Sequence, residues 1–254
     1  MKLGAMNNPE RDILKEIKTF GEFGFDFVEI TVEGPRAYSE ILLNIEKEIK
    51  DILDSYNMFV IVHAPWFFEI AHPYDNVRKA YFEEMLKIIE IARIFNSEIM
   101  GVHLNKIKGR FENKLKRNIS ALKELEKACE DNGILLCIEN LDIHSFDVDD
   151  YHEIFNEINA GFILDIGHAN IGSKKGEEIF RFIREFKDKL KHVHAHDNFG
   201  REDLHLPIGA GNIDWEKVIK ELRKFYDNTV TLEIHSRDIE YLKISREKFL
   251  ELLK

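Results

Sequence analysis

The stretch HVHAHDNFGREDLHLPIGAG, which begins at His192, holds a dense group of histidines and acids. His192, His194 and His196 alternate, so they would share one face of a β-strand. Asp203 and His205 follow in a segment that glycines mark as a loop. Imidazoles and carboxylates on a short polar loop are the ligand types that Zn²⁺, Mn²⁺ or Co²⁺ prefer. A polar surface loop is the competing interpretation, and the elements that position these residues must decide between the two.

Short apolar runs alternate with longer helical patterns along the whole chain. The predicted strands cover residues 2–6, 25–31, 58–63, 98–104, 134–139, 161–166, 192–196 and 229–235, and amphipathic helical patterns lie between them. Eight such units without a linker predict an α/β fold, a (β/α)₈ TIM barrel that forms a single domain over residues 1–254. A doubly wound open sheet is the alternative, but no glycine-rich nucleotide motif follows the first strand.

Residue types that bind metals fall where most of these strands end. In a (β/α)₈ barrel the active site is built from the C-terminal ends of the strands and the loops that follow them. Nine residues occupy those positions: His63, His103, Glu139, Asp165, His168, His194, Asp203, His205 and Glu233. Buried carboxylates and imidazoles are costly unless they are paired or bound to a metal. The sequence therefore predicts a centre for divalent cations at the barrel mouth.

The composition narrows the classes of function. The chain has 254 residues and a formal net charge of −11, so no global basic field favours nucleic acid or membranes. Cys129 and Cys137 are too few for a disulfide framework and suit a reducing compartment. No apolar run approaches membrane-span length, and the N-terminus lacks a signal-peptide core. We expect a soluble, cytoplasmic protein.

Several strand-end motifs resemble those of one superfamily over essentially the whole chain. The motifs are VHAPW, VHLN, CIENL, LDIGHA, HVHAHDN, DLHLPIGAG and LEIH. The sequence resembles the xylose isomerase-like TIM barrels, which include endonuclease IV (AP endonuclease family 2) and many sugar isomerases and epimerases. The resemblance implies a metal-dependent enzyme, and its two branches imply different ligand sets.

The endonuclease IV pattern implies up to three zinc ions. Its first set would be His63, His103 and Glu139, its second Glu139, Asp165, His194 and Glu233, and its third His168, Asp203 and His205. The epimerase pattern implies a single Mn, Co or Zn ion bound by the second set. There Glu139 and Glu233 would also be the catalytic acid and base that move a proton at the carbon beside a carbonyl.

The loops favour the epimerase pattern. The loop after the first strand, residues 6–9, is short and carries no basic residue, whereas duplex binding needs Lys or Arg along a groove. We therefore expect a metal-dependent sugar or sugar-phosphate isomerase or epimerase, with a small-molecule partner rather than DNA or a membrane. A homo-oligomer is compatible with the sequence. The alternatives are a zinc-dependent hydrolase that acts at abasic sites in DNA, and a metal-binding barrel without catalysis.

Other residues near the predicted mouth are weaker candidates. Five residues are candidates for orienting the ligands or contacting substrate: Glu29, Trp66, His196, Asp197 and His235. Of these, Trp66 is the candidate for stacking on a sugar ring or base. Five basic residues form a candidate rim for a phosphate, although helix-entry charges are the favoured interpretation: Lys106, Lys108, Arg110, Lys174 and Lys175.

Overall fold

Eight short, largely apolar segments form a closed parallel barrel. The computed structural model describes residues 1–107 and 113–254. The strands are β1 (Lys2–Met6), β2 (Phe27–Thr31), β3 (Phe59–His63), β4 (Ile99–His103), β5 (Leu135–Glu139), β6 (Gly161–Asp165), β7 (Leu190–Ala195) and β8 (Thr229–Leu232). They are neighbours in chain order, and β1 closes the barrel against β8. The predicted (β/α)₈ fold is confirmed, and the open-sheet alternative is wrong.

Helices surround the barrel and cover the outer faces of its strands. Their bounds are α1 (Ile13–Glu22), α2 (Ser39–Asn44), α3 (Glu46–Tyr56), α4 (Asp75–Ile94), α5 (Lys114–Glu130), α6 (Val148–Glu157), α7 (Ile166–Asn170), α8 (Glu177–Phe186), α9 (Trp215–Leu222) and α10 (Glu240–Leu252). The segment between β2 and β3 contains two helices, α2 and α3, because the backbone leaves helical geometry at Ile45. Within the described residues, no helix combines the length and apolar character that crossing a bilayer requires.

The inward face of β7 carries polar side chains into the barrel. His192 and His194 are buried there, while Val193 between them belongs to the apolar core on the other face. This alternation follows from the period of two along a strand. The barrel interior is therefore polar towards the C-terminal ends of its strands, and that end forms the mouth.

The predicted eighth strand is too long. β8 ends at Leu232, although the Glu233 amide still donates to the Ala195 carbonyl at 3.2 Å. Beyond it, the His235 amide donates to the His205 carbonyl at 3.0 Å. The chain thus leaves the sheet to meet the loop that follows β7, which brings the two segments together at the mouth.

A glycine in β4 makes room for one of the mouth histidines. Gly101 pairs in register with His63 on the neighbouring β3. A Cβ atom at Gly101 would lie 2.3 Å from Cδ2 of His63 and 2.9 Å from Cδ1 of Ile163. The imidazole therefore occupies space that any other residue at position 101 would fill.

Gly101→Ala should destabilise the fold by about 1–3 kcal/mol, because the added methyl group overpacks the barrel interior. Urea denaturation measures the loss. In the Gly101→Ala/His63→Ala double variant the imidazole is absent, so part of the cost of Gly101→Ala should be recovered. Strictly additive costs would show that His63 is not what the new methyl group meets.

Candidate metal centre

The strand register brings the predicted ligands to one edge of the barrel. His103 pairs with Glu139, and Asp165 pairs with His194, each at or near the last residues of its strand. Because parallel strands end at the same edge, their last side chains meet at the mouth. All nine predicted ligands lie there in contacting groups. We call three of these groups the inner cluster (His63, His103, Glu139), the central cluster (Glu139, Asp165, His194, Glu233) and the outer cluster (His168, Asp203, His205).

Glu139 joins the inner and central clusters. Its carboxylate lies 2.9 Å from Nε2 of His63, 3.1 Å from Nε2 of His103 and 3.3 Å from Nδ1 of His194. Burial raises the pKa of Glu139, but the charges of His103 and His194 and hydrogen bonds from His103 and His168 outweigh it and hold the pKa well below the usual value. The carboxylate is therefore an anion that imidazoles surround.

One ring nitrogen of His194 faces only carboxylates. Nδ1 is buried and has no hydrogen-bond partner among the described residues. It lies 3.3 Å from Glu139, 3.6 Å from Glu233 and 3.9 Å from Asp165. Ligands held at 2.0–2.2 Å from a tetrahedral ion lie roughly 3.3–3.6 Å apart. The central cluster therefore has the donor types that a divalent cation requires, and the distances from His194 to Glu139 and Glu233 match the spacing.

Glu29 fixes which nitrogen of His194 faces the central cluster. Its fully buried carboxylate lies 3.1 Å from Nε2 of His194 and 3.0 Å from Nε2 of His192. A carboxylate only accepts, so Nε2 of His194 carries a ring proton, and in the neutral form of the ring Nδ1 presents its lone pair. Burial raises the pKa of Glu29, but the charges of His194 and His192 outweigh it and hold the pKa well below its usual range.

The outer cluster is built around a partly exposed carboxylate. Oδ2 of Asp203 lies 3.2 Å from Nε2 of His168 and 3.1 Å from Nε2 of His205. Burial lowers the pKa of His205, but the charge of Glu233 and the contact with Asp203 outweigh it and raise the pKa to about 9. The cluster is therefore strongly polarised, with charges of opposite sign in contact.

His196 and His235 lie on either side of the outer cluster. Their rings stack on His205 with centroids 4.0 and 4.1 Å away, both at 16°. Nε2 of His196 also lies 3.1 Å from Oδ1 of Asp165. His196 thus lies between the central and outer clusters, whereas His235 contacts the outer cluster through its ring face.

Asp197 does not contact a ligand imidazole among the described residues, which corrects the prediction made for it. Its buried carboxylate accepts hydrogen bonds from the Trp215 indole at 2.9 Å and from the Gly209 amide at 2.9 Å. The strand ends at Ala195, so the period of two no longer fixes where position 197 points. Asp197 holds together the loop that carries Asp203 and His205.

Trp66 and the predicted basic rim residues differ in their surroundings. Trp66 is 69% exposed, and its ring meets Phe67 edge-on with centroids 5.7 Å apart. Lys106 forms an ion pair of 2.6 Å with Asp142. The predicted rim residues Lys108 and Arg110 lie outside the described residues.

Sequence reasoning gave no role to Asn140, the residue that follows Glu139. Its buried amide accepts from the Asp165 amide at 2.8 Å and donates to the Asp165 carbonyl at 2.9 Å. Its backbone carbonyl accepts from Nδ1 of His168 at 2.9 Å. The only available signal was a polar residue at the end of an apolar strand, which does not specify these partners.

Comparisons with known proteins agree with this architecture. The family model described as xylose isomerase-like TIM barrel matches residues 17–253. The chain belongs to this family. An uncharacterised protein of Methanocaldococcus jannaschii is 32% identical over 94% of this chain and 88% of its own. A probable endonuclease 4 of Aquifex aeolicus is 26% identical over 92% of this chain and 90% of its own. A solved D-tagatose 3-epimerase-like protein is 30% identical, with a TM-score of 0.87 over 100% of this chain and 97% of its own.

Members of the xylose isomerase-like family commonly bind divalent metals, and the mouth of this chain is suited to them. The ligand-type atoms of His63, His103 and Glu139 lie within 4.8 Å of one another, as do those of Glu139, Asp165 and His194. The buried Nδ1 of His194, which has no hydrogen-bond partner among the described residues, is the clearest sign, because its surrounding carboxylates require a positive charge between them, either a second ring proton or a metal ion.

Asp197→Ala should destabilise the protein by about 3 kcal/mol or more, because it leaves at least two buried donors without an acceptor. Amide exchange at Gly209 and at Ile213, whose amide also donates to Asp197 at 3.3 Å, should accelerate as the loop loosens. Urea unfolding and hydrogen–deuterium exchange measure the two effects.

The matched control is Asp214→Ala, which removes only the exposed N-cap of α9 and should cost about 1 kcal/mol. Equal losses in the two variants would show that the buried carboxylate of Asp197 does not organise the loop.

Proposed function

We propose that this protein, with residues 1–254 acting as one domain, is a divalent-metal-dependent sugar isomerase or epimerase. The ligands of its Mn, Co or Zn ion would be the central cluster, Glu139, Asp165, His194 and Glu233. The observation that carries this proposal is the buried Nδ1 of His194 with a carboxylate on each side of it. The 30% identity to a D-tagatose 3-epimerase-like protein over the whole chain supports a sugar as substrate.

In this proposal the two glutamates would transfer the proton from two sides. Glu139 ends β5 and Glu233 follows β8, so two strands separate them around the barrel. Their carboxylates lie 3.3 and 3.6 Å from the same nitrogen of His194. A bound divalent ion would polarise the substrate carbonyl and its neighbouring hydroxyl. One glutamate then removes the proton from the adjacent carbon, and the other returns a proton to the opposite face.

A phosphodiester hydrolase is the second candidate, because all nine ligands of that pattern lie at the mouth. The surroundings favour it less. Arg11 lies next to the short loop after β1, where a contact to DNA phosphate would be useful. Its guanidinium instead donates to the Ser236 carbonyl and lies 3.7 Å from the carboxylate of Glu16. The net charge of −11 likewise opposes association with a duplex.

Glu233→Gln should reduce turnover by about 10²–10⁴-fold, because an amide does not accept the proton of the substrate carbon. The measurement is solvent-deuterium incorporation into a panel of ketoses and ketose phosphates, followed by proton NMR.

Glu139→Gln should lose activity similarly and also bind metal more weakly, because Glu139 contacts both the inner and the central cluster. Glu98→Gln, at the opposite end of the barrel, is the control and should keep full activity. Undiminished exchange in Glu233→Gln would contradict the assigned role.

Removal of metal should abolish exchange, and adding Mn²⁺, Co²⁺ or Zn²⁺ should restore it, because the proposed mechanism needs a cation to polarise the substrate carbonyl. The same metal-loaded samples are tested for incision of a duplex with one abasic site. Incision in the absence of any sugar exchange would replace this proposal with the hydrolase. Full exchange after verified metal removal would refute metal dependence.

A further inference from the structure

A layer of buried polar side chains lies below the predicted ligands. His192 precedes His194 by two residues on β7, so its side chain enters the barrel on the same face but deeper. Its Nδ1 lies 2.7 Å from Oγ1 of Thr229. Its Nε2 lies 3.0 Å from Oγ1 of Thr231 and 3.0 Å from the Glu29 carboxylate. None of these four residues is a predicted metal ligand, so their burial needs another explanation.

The contacts of His192 set the direction of its hydrogen bonds. A carboxylate only accepts, so Nε2 of His192 carries a ring proton and donates it to Glu29. In the neutral form of the ring, Nδ1 then accepts from the hydroxyl of Thr229. The ring is fully buried between these partners. His192 is therefore a fixed donor that points at Glu29.

Both oxygens of the Glu29 carboxylate are occupied. Oε2 accepts from His192 at 3.0 Å, and Oε1 accepts from Nε2 of His194 at 3.1 Å. The carboxylate is fully buried, so an oxygen that lost its donor would be costly to leave unpaired. Without His192 the carboxylate would be free to rotate away from His194. The donor on one side thus holds the carboxylate in place for the imidazole on the other.

A purely structural role in the barrel core is the competing explanation of this layer. Well-packed apolar residues in place of buried charged groups are often neutral or stabilising, so stability alone gives no reason to bury Glu29 with His192. The other partner of Glu29 is His194, which turns its Nδ1 towards the carboxylates of the central cluster. The effect of the buried pair is therefore to be sought at His194.

We propose that His192 is a positioning residue of the metal centre, which acts through Glu29 on His194. It holds the Glu29 carboxylate where that group binds Nε2–H of His194 and leaves Nδ1 aimed at the central cluster. Loss of such an outer partner of a metal-bound histidine weakens metal binding by roughly 10–100-fold. The inference rests on the proposed function in one respect, that His194 binds the ion, and its test needs no substrate.

The test replaces His192 by a ring without a donor and by a chain that keeps one. His192→Phe preserves the ring volume but donates nothing to Glu29, whereas the amide of His192→Gln reaches the place of Nε2 and still donates. Metal-free proteins are titrated with Zn²⁺ against a chromophoric chelator, and urea unfolding of the same samples measures stability. In His192→Phe, one equivalent of Zn²⁺ should bind at least ~10-fold more weakly than in the wild type. His192→Gln should recover most of that affinity.

Thr229→Val is the matched control, because it removes the other hydrogen bond of His192 and leaves the contact with Glu29. It should lower the stability of the metal-free protein without weakening Zn²⁺ binding. If His192→Phe does not fold, His192→Asn takes its place, since its shorter amide reaches Thr229 but not Glu29.

The inference is overturned if the variant without a donor to Glu29 binds Zn²⁺ as the wild type does. An equal loss of affinity in Thr229→Val would also overturn it, because metal binding would then follow stability rather than the donor. A wild type that binds no metal would overturn both this inference and the proposed function. If the variants behave as expected but the wild type exchanges no sugar proton, only the proposed function is refuted.

Discussion

The constraint on which this mouth depends is the placement of ring protons. His63, His168 and His205 each direct one ring nitrogen at a backbone carbonyl, and His194 directs one at Glu29. Since a neutral imidazole has a single N–H, its second nitrogen must present a lone pair. Each of those lone pairs faces a carboxylate. The mouth is therefore lined by imidazole lone pairs and carboxylates, all of which are acceptors. A positive charge must lie between them to hold them together.

The rest of the fold supplies the rigidity that this arrangement requires. In a mobile pocket the carboxylates would move apart or pair with the nearest imidazole, whereas the backbone carbonyls of a closed barrel keep fixed positions. Asn140 locks Asp165 through both backbone groups of that residue. Hydrogen bonds hold the long loop after β7 in place. Asp197 bonds to Trp215, and Asn170 bonds to Asn198 and Asn212. Ligands on a loop thus become nearly as fixed as ligands on strands.

Much of this architecture follows from the sequence alone, because strand periodicity and ligand chemistry are local properties. The eight strands were predictable to within a few residues, and so was the gathering of nine ligand-type side chains at one edge. Contacts across the barrel were not. Glu29 and His192 are far apart in sequence, and nothing in either segment predicts that the two side chains pair. His196 and Asp197 are adjacent, yet one lies between two clusters and the other holds a loop, since regular alternation has ended there.

Closure of the barrel through β1 and β8 has a consequence for biosynthesis. Glu29 comes from the start of the chain and Glu233 from near its end, and both contact His194. While the last strand is still inside the ribosome, the mouth lacks one wall and one carboxylate. A growing polypeptide therefore presents an incomplete set of donors, and binding of an ion at the proposed site would have to wait until β8 and Glu233 have left the ribosome.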